Sequence, residues 1–434
     1  MIPDTVDVLV AGAGPAGLGA ALAAARAGAR TLLVEHLFHV GGIHTGAFVS
    51  GWCDAPGGPI FEELTARLQT LGAVSHSYNP DRDLWRGGRL TFQPEMFKAA
   101  AMEMLLEAGV TVLLGALAET ACVEDGAVHG VWLATKGQRR LVRAAVTIDC
   151  TADADLAASA GVAFDQGDPR DGHIQMVNFW WRLGGVSEAD RQAPVLANDE
   201  KVAAFRRAVD SGDIRPPRGI VKPPPDAFPW NGRQFGFTYW EIAGVDPTDP
   251  AEVSRCLAEC HRAALDVIRF ARKRLPGFEN AVIERLPALL GTRESRRIQG
   301  RYSVTEQDML AGRKFPDGVA RAGFWSDYHD APPHHTTPYN LDYRRKHAPP
   351  PGDWYEIPYR ALLPRKVDGL LVAGRAISCE RPVQAAMRIM RTCFYTGHAA
   401  GLAAALAAAA RISPAAFDPA PVRQALIEQY MPVQ

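Results

Sequence analysis

The sequence predicts an α/β protein in which a parallel-sheet unit is split along the chain by an α+β insertion. Three observations carry this. Residues 6–10 (Val-Asp-Val-Leu-Val), a glycine-rich turn, an Ala/Leu-rich run to about Ala27 and residues 31–34 (Thr-Leu-Leu-Val) make a complete strand-turn-helix-strand unit. From about Val162 to Pro350 the pattern changes: prolines cluster at 216–217, 223–225 and 332–333, and aromatics at 179–181, 235–240 and 324–325. Past Pro351 the α/β pattern returns. Residues 369–374 (Gly-Leu-Leu-Val-Ala-Gly) read as a buried strand ending in glycine, and a long helix is expected from about Pro382 to Ala410. The expected division is 1–163 and 352–434 for the split unit and 164–351 for the insertion.

Each element between these landmarks has a local reason. Gly28 stops the first helix, because glycine takes the left-handed conformation a helix end needs. A helix from about Pro94 to Ala108 starts on proline, at a position whose N–H would be unpaired anyway. Residues 110–114 form the next strand, and two β-rich stretches flank Asp125-Gly126, a strong hairpin turn. Residues 145–149 are another apolar strand. In the insertion, residues 250–275 carry an amphipathic helical pattern, and an antiparallel sheet is expected beside it.

Composition narrows the function. A length of 434 residues suggests two or three domains, or one large discontinuous one. With 47% hydrophobic and 22% charged residues, disordered and fibrous classes are excluded. The 47 basic and 48 acidic side chains leave a net charge of -1, so there is no electrostatic case for nucleic acid and no polybasic stretch for an anionic membrane. The apolar residues 8–25 follow Asp4 and Asp7 rather than a basic leader, and glycines interrupt them, which argues against an export signal. The Ala-rich residues 399–410 fall short of the ~20 apolar residues a bilayer crossing needs and read as a packed helix. Seven scattered cysteines make no disulfide framework, so a cytoplasmic protein is expected. Cys256 and Cys260 share one helix face and read as packing, and no cysteine set fits an iron–sulfur cluster.

Gly12, Gly14 and Gly17 form G-x-G-x-x-G between strand and helix, a Rossmann-like dinucleotide fingerprint. The first glycine permits the tight turn. The second, with Pro15 and Ala16, lets backbone approach a pyrophosphate, and the third allows close helix packing. Glu35 lies 18 residues past the third glycine at the tip of the next strand, with His36 beside it. It is placed to bond both ribose hydroxyls, which argues against the 2′-phosphate of NADP. The glycines alone do not choose between FAD and NAD.

Three further segments make that choice by resemblance. Residues 148–157 read Ile-Asp-Cys-Thr-Ala-Asp-Ala-Asp-Leu-Ala after a strand. Residues 291–297 (Gly-Thr-Arg-Glu-Ser-Arg-Arg) continue through 315–317 to 327–330 (Asp-Tyr-His-Asp). Residues 357–364 lead into 371–378 (Leu-Val-Ala-Gly-Arg-Ala-Ile-Ser), then Met387-Arg388-Ile389-Met390 and 397–401 (Gly-His-Ala-Ala-Gly). In order and over nearly the whole chain, these resemble FAD-dependent oxidoreductases of the glutathione-reductase-type fold, related to fumarate reductase flavoproteins. The resemblance implies FAD as cofactor, with contacts at Gly41, Gly42, Ile43, His44, Thr151, Asp155, Gly374, Arg375, Met387 and Arg388. It implies hydride transfer between a small organic substrate and flavin N5, in the oxidase, dehydrogenase or ene-reductase direction. The electron acceptor is left open, and a homo-oligomer is admissible. The late helix is expected to aim its positive N-terminal end at the flavin N1/C2 carbonyl region. Two departures stand out: Ala152 and Ala154 replace glycines usual in the family, and residues 381–385 (Arg-Pro-Val-Gln-Ala) replace smaller polar ones.

The rival readings are a flavin monooxygenase or halogenase, which usually has Gly-Asp-Ala where Gly374-Arg375-Ala376 stands, and a non-redox protein with structural FAD or NAD. For the chemistry, Arg293 and Arg296, in a cluster with Glu294 and Arg297, are expected to clamp a substrate carboxylate or face the flavin. The alternative there is a salt-bridge network. His329 is expected to handle protons. With His334 and His335 it lacks the third or fourth fixed ligand of a metal site, so no metal is expected. Trp180, Trp181, Phe237, Tyr239 and Trp240 wall an apolar pocket or form a sheet core. His44 has two readings: a covalent bond to the flavin 8α-methyl, as in the His-Thr pair of succinate dehydrogenase and fumarate reductase flavoproteins, or a non-covalent neighbour of the ring.

Overall fold

Continuous apolar runs, buried on both faces, put the N-terminal strand at the middle of a seven-stranded sheet. Across the sheet run Thr111–Leu114, Thr31–Glu35, Thr5–Ala11 and Gln138–Asp149, paired parallel. Residues 138–143 then pair antiparallel with Ala127–Thr135, while residues 147–149 pair parallel with Leu370–Val372. Residues from the two ends of the chain thus share one sheet. Leu117–Glu124 closes the antiparallel edge, its hairpin turned by Asp125 (φ 49°) and Gly126 (φ 77°). The computed structural model describes residues 2–53, 55–77, 89–186, 203–204, 207–220, 237–275, 277–334 and 341–428.

Two helices set the geometry of the site. Pro15–Arg26 and Met390–Ala410 run parallel at backbone contact. A Cβ on Gly397 would stand 2.0 Å from the Ala16 carbonyl oxygen, and one on Gly401 2.1 Å from that of Ala20. From the other side, a Cβ on Gly19 would meet the Phe394 carbonyl oxygen at 2.4 Å. Small residues on both helices therefore bring their N-termini to the same end of the sheet.

Two sequence expectations are corrected here. The single helix from Pro382 to Ala410 is two, Arg381–Met387 and Met390–Ala410: Arg388 turns in to Asp327, and β-branched Ile389 takes extended backbone (φ -63°, ψ 144°). The second piece has 21 residues and is apolar enough to cross a bilayer, so length does not exclude a span. Its packing on the first helix, with 14 of 21 residues buried, makes it a core helix.

The stretch expected from the sequence to be an insertion holds a three-stranded antiparallel sheet ordered Phe237–Ile242, Val177–Gly184, Val282–Arg285. The helix Pro250–Arg274 covers it, capped by Asp249 accepting from the Ala251 N–H. Strand alternation sends Phe179 and Trp181 into this core with Trp240, Cys256 and Cys260. Trp181 and Trp240 are thus core rather than pocket wall. Trp180 points the opposite way and packs on Phe48. The side chains of Phe237 and Tyr239, and all of Phe235 and His335, lie outside the described residues.

Candidate active site

The glycine turn is built as the spacing predicts. Gly12 has φ +94°, and a Cβ there would stand 2.5 Å from the Cys150 carbonyl oxygen; one on Gly17 would stand 1.7 Å from the Gly12 oxygen. The protein's own packing requires those two glycines. Gly14 differs: a Cβ there would find nothing nearer than the Gly42 Cα, 3.9 Å away. Its bare backbone is explained by an outside group needing close approach, as a pyrophosphate does. The adjoining helix starts at Pro15-Ala16 with no side chain capping its N-terminus, and neither does one cap Met390–Ala410. Two uncapped helix ends at one edge of the sheet attract negative charge. Glu35 is buried and oriented by the Ala13 N–H (2.7 Å) and Leu37 N–H (3.0 Å), with His36 Nδ1 at 2.9 Å. A carboxylate has about four lone-pair sites, which leaves capacity for ribose hydroxyls. These residues fit a dinucleotide.

The second motif closes against this turn. Buried Asp149 accepts from the Thr151 N–H and hydroxyl and from the Ala157 N–H, while Thr151 Oγ1 accepts from the Asp155 N–H. Ala152 (φ 71°) and Ala154 (φ 55°) both hold left-handed backbone. The family's glycine conformation survives without glycine, at a cost of about 1–2 kcal/mol each. Arg375 is nearly buried and donates to Ala152 O (3.1 Å), to Thr292 O and to Asp153. It braces this motif from Gly374, whose φ of +84° brings it against Ala16. Arg296 donates to Asp153 O (3.2 Å) and Asp155 Oδ1 (3.0 Å). That ties Arg296 to the second motif, in the salt-bridge role that was the alternative reading of the cluster.

Gly41 (φ +108°) and Gly42 (φ +52°) turn the next loop back over Gly14, and a Cβ on Gly42 would meet the Gly14 Cα at 2.8 Å. Ile43 is partly buried in the main core, and Met387 wholly so. His44 is fully buried, stacked on Phe97 (4.6 Å, 18°) and edged by Trp52, Phe92 and Phe394. Its Nδ1 lies 3.2 Å from the Gly41 carbonyl, and its Nε2 accepts from Trp52 Nε1 at 2.9 Å. Burial pushes its pKa down to about 3 despite the Gly41 contact. Both nitrogens are engaged inside an aromatic cage, so no lone pair remains to attack the flavin methyl. The covalent reading is corrected: His44 packs behind the loop. Beyond it, Phe48 holds a left-handed φ of 55°, strain of the kind that collects at functional sites.

Next to the start of Met390–Ala410 lies a chain of buried and partly buried charges. Arg388 donates to Asp327 O (2.7 Å) and Oδ2 (3.3 Å). His329 Nε2 lies 3.3 Å from Asp327 Oδ2, and its Nδ1 2.7 Å from Glu241 Oε1. Glu241 also accepts from Arg293 (2.9 Å), whose other arm donates to Met176 O (2.7 Å). Burial alone would raise the Asp327 pKa, but His329, Arg388 and Arg293 hold it well below the usual carboxylate range. Arg293 therefore orients Glu241 and is not an open clamp for substrate, correcting that expectation. Gln175 accepts from the His329 N–H, and Gln384 donates to Arg293 O (2.8 Å). A second network, buried Glu294 with Arg297 and Arg381, runs on from Arg381 to Asp330 (2.7 Å) and Asp168 (3.3 Å). Glu241 and Gln175 were not singled out in the sequence, while Asp327, Arg381 and Gln384 stood in quoted segments without a role of their own. For Glu241 a signal existed, a lone acid in the run Phe-Thr-Tyr-Trp-Glu-Ile.

Among solved structures, a geranylgeranyl bacteriochlorophyll reductase-like protein of Thermoplasma acidophilum is 13% identical (TM-score 0.44) over 94% of this chain and 80% of that one. OxyS anhydrotetracycline hydroxylase of Streptomyces rimosus is 15% identical (TM-score 0.47) over 94% and 63%. The flavin-dependent brominase Bmp2 is 13% identical (TM-score 0.46) over 97% and 82%. This chain spans only 54% to 66% of the length of several other matched structures. Likeness at this level carries no argument about the reaction. No curated protein matches. The family model for FAD dependent oxidoreductases matches residues 7–426, so the chain belongs to that family and is an FAD-dependent oxidoreductase.

Proposed function

We propose that this protein transfers a hydride between a small organic substrate and N5 of bound FAD, with His329 moving the accompanying proton. The observation that carries the reading is the pinning of His329 between Glu241 and Asp327, in a chain of charges ending at Arg388 just before the helix Met390–Ala410. FAD supplies the two-electron redox chemistry when bound. Gly12, Gly14 and Gly17, Glu35 and the two helix N-termini would hold it. Glu241 fixes the imidazole through Nδ1, with Arg293 fixing Glu241. The longer contact at Nε2 leaves that nitrogen to exchange a proton with substrate, and Asp327 stabilises the imidazolium that forms. Phe48 and Trp180 pack where the insertion meets the nucleotide-binding unit and keep water from that boundary.

The same reading takes the glutathione-reductase-type subfold, kinship with fumarate reductase flavoproteins, and the division 1–163, 164–351 and 352–434. It takes a cytoplasmic setting, in keeping with seven free thiols, and a separate electron acceptor. To test it, bound flavin is reduced anaerobically with dithionite and its reoxidation by candidate organic acceptors is followed by stopped flow. His329→Asn is expected to slow the productive acceptor about 10²–10⁴-fold in the folded, flavin-loaded fraction. An atom of O2 incorporated into product would replace this reading with monooxygenation.

A further inference from the structure

Asp171 and His173 share one loop and meet His334, about 160 residues later, at the edge of the insertion. Asp171 Oδ1 lies 2.6 Å from His173 Nδ1, and its Oδ2 lies 3.4 Å from His334 Nε2. One ligand atom from each residue falls within 4.8 Å of the other two. With Zn–N and Zn–O bonds of about 2.0–2.2 Å, the ligand atoms of a tetrahedral site lie about 3.4 Å apart, so the set is close to closing on an ion. The two imidazoles stack face to face at 3.9 Å and 12°. Loading therefore requires a rotation of His334, whose side chain is 35% exposed and can turn outward.

A second observation lies behind His173. Its Nε2 is buried and makes no hydrogen bond, yet it stands 3.4 Å from Asp330 Oδ2. Metal-bound histidines almost always present their other ring nitrogen to a carboxylate, which fixes the ring and raises its basicity. Asp330 is in that position and is itself held by Arg381 at 2.7 Å.

We propose that Asp171, His173 and His334 bind one borderline divalent transition-metal ion, with Asp330 as the outer carboxylate of His173 and at least one coordination position open. Two imidazoles and one carboxylate suit Zn2+ and its first-row neighbours better than Mg2+ or Ca2+. The ion ties together the two segments that hold His329: Met176 donates to the His329 carbonyl, and Gln175 accepts from its N–H. In the sequence His334 stands beside His329 and His335, where no metal was expected, because Asp171 and His173 lie about 160 residues away.

The FAD-loaded protein, freed of metal with EDTA, is titrated with Zn2+ by calorimetry and with Co2+ by visible difference spectra. Expected are one saturable equivalent with ligand-field bands, and affinity at least about tenfold weaker in His173→Ala and His334→Ala. The flavin spectrum of each variant reports that it is folded, and Asp171→Asn, at an exposed position, gives a third variant expected to weaken binding. Absence of saturable binding in the parent protein, or equal affinity in folded His173→Ala and His334→Ala, overturns the site.

Discussion

Around Gly14 and Gly397 the cradle is made of backbone against backbone, with no charged side chain at the contact, whereas around Glu294 and Glu241 the neighbouring wall is made almost wholly of paired charges. The first arrangement suits a ligand that is the same in every turnover: shape and peptide dipoles suffice, and any added atom is an obstruction. The second suits a surface that must orient a proton-bearing group and keep it oriented in a poorly solvated place. Buried ion pairs add little net stability, but they give up several kcal/mol when one partner is lost. The two regions should therefore fail in different ways.

Gly397→Val is the harshest test, because a side chain there must enter the Ala16 carbonyl. Destabilisation of more than about 4 kcal/mol is expected, read as loss of soluble, flavin-loaded protein. A variant melting within a few degrees of the parent would show that the helix contact can open. Glu294→Gln should cost about 3 kcal/mol by leaving Arg297 and Arg381 short of charge. Here the folded fraction should keep its full flavin content. Flavin lost in step with stability would erase the contrast between the regions.

Acid should act on the cradle side through His44. Its folded-state pKa, about 3, lies below the ordinary 6.5, so the unfolded chain takes up the proton first. Stability is fully present above about pH 6.5 and falls as pH drops toward 3, by about 1.4 kcal/mol per pH unit. Unfolding in urea should show a His44 share of about 2 kcal/mol in the stability lost between pH 7 and pH 5, and that share disappears in His44→Gln. His398, pushed down to about 4 chiefly by burial, adds its own loss from about pH 6.5 down to about pH 4. A flat profile would mean that the imidazole is reached by water. The smallest effect is expected for Ala152→Gly: relief of left-handed strain slightly outweighs the added freedom of the unfolded chain, raising stability by about 0.5 kcal/mol in thermal melts.

The cradle was legible because its chemistry is local. Spacing alone located Gly12, Gly14, Gly17 and Glu35, since one turn, one helix and one strand tip must follow each other at nearly fixed distances. A salt-bridge network at 293–297 was one of the two readings of the sequence, but its partners were not legible. Glu241 meets His329 across 88 residues, and Arg381 meets Asp168 across 213, so neither pairing leaves a periodic trace. His44 shows the limit within a legible motif: its neighbours in sequence suggested a flavin ligand, while Trp52, eight residues on, had taken the nitrogen required. The break at Ile389 was hidden for the same reason, because its cause is the reach of Arg388 to Asp327.

The contact between the helices Pro15–Arg26 and Met390–Ala410 also bears on how the chain is made. Ala16 leaves the ribosome about 380 residues ahead of Gly397 and must wait for it before its backbone is covered. At roughly 5–20 residues per second that delay is about 20–80 s. During it, an Ala-rich apolar helix lies open to other nascent chains and to chaperones, and FAD has only half a binding site. Cofactor capture is then a late event in biosynthesis, following the synthesis of Gly397.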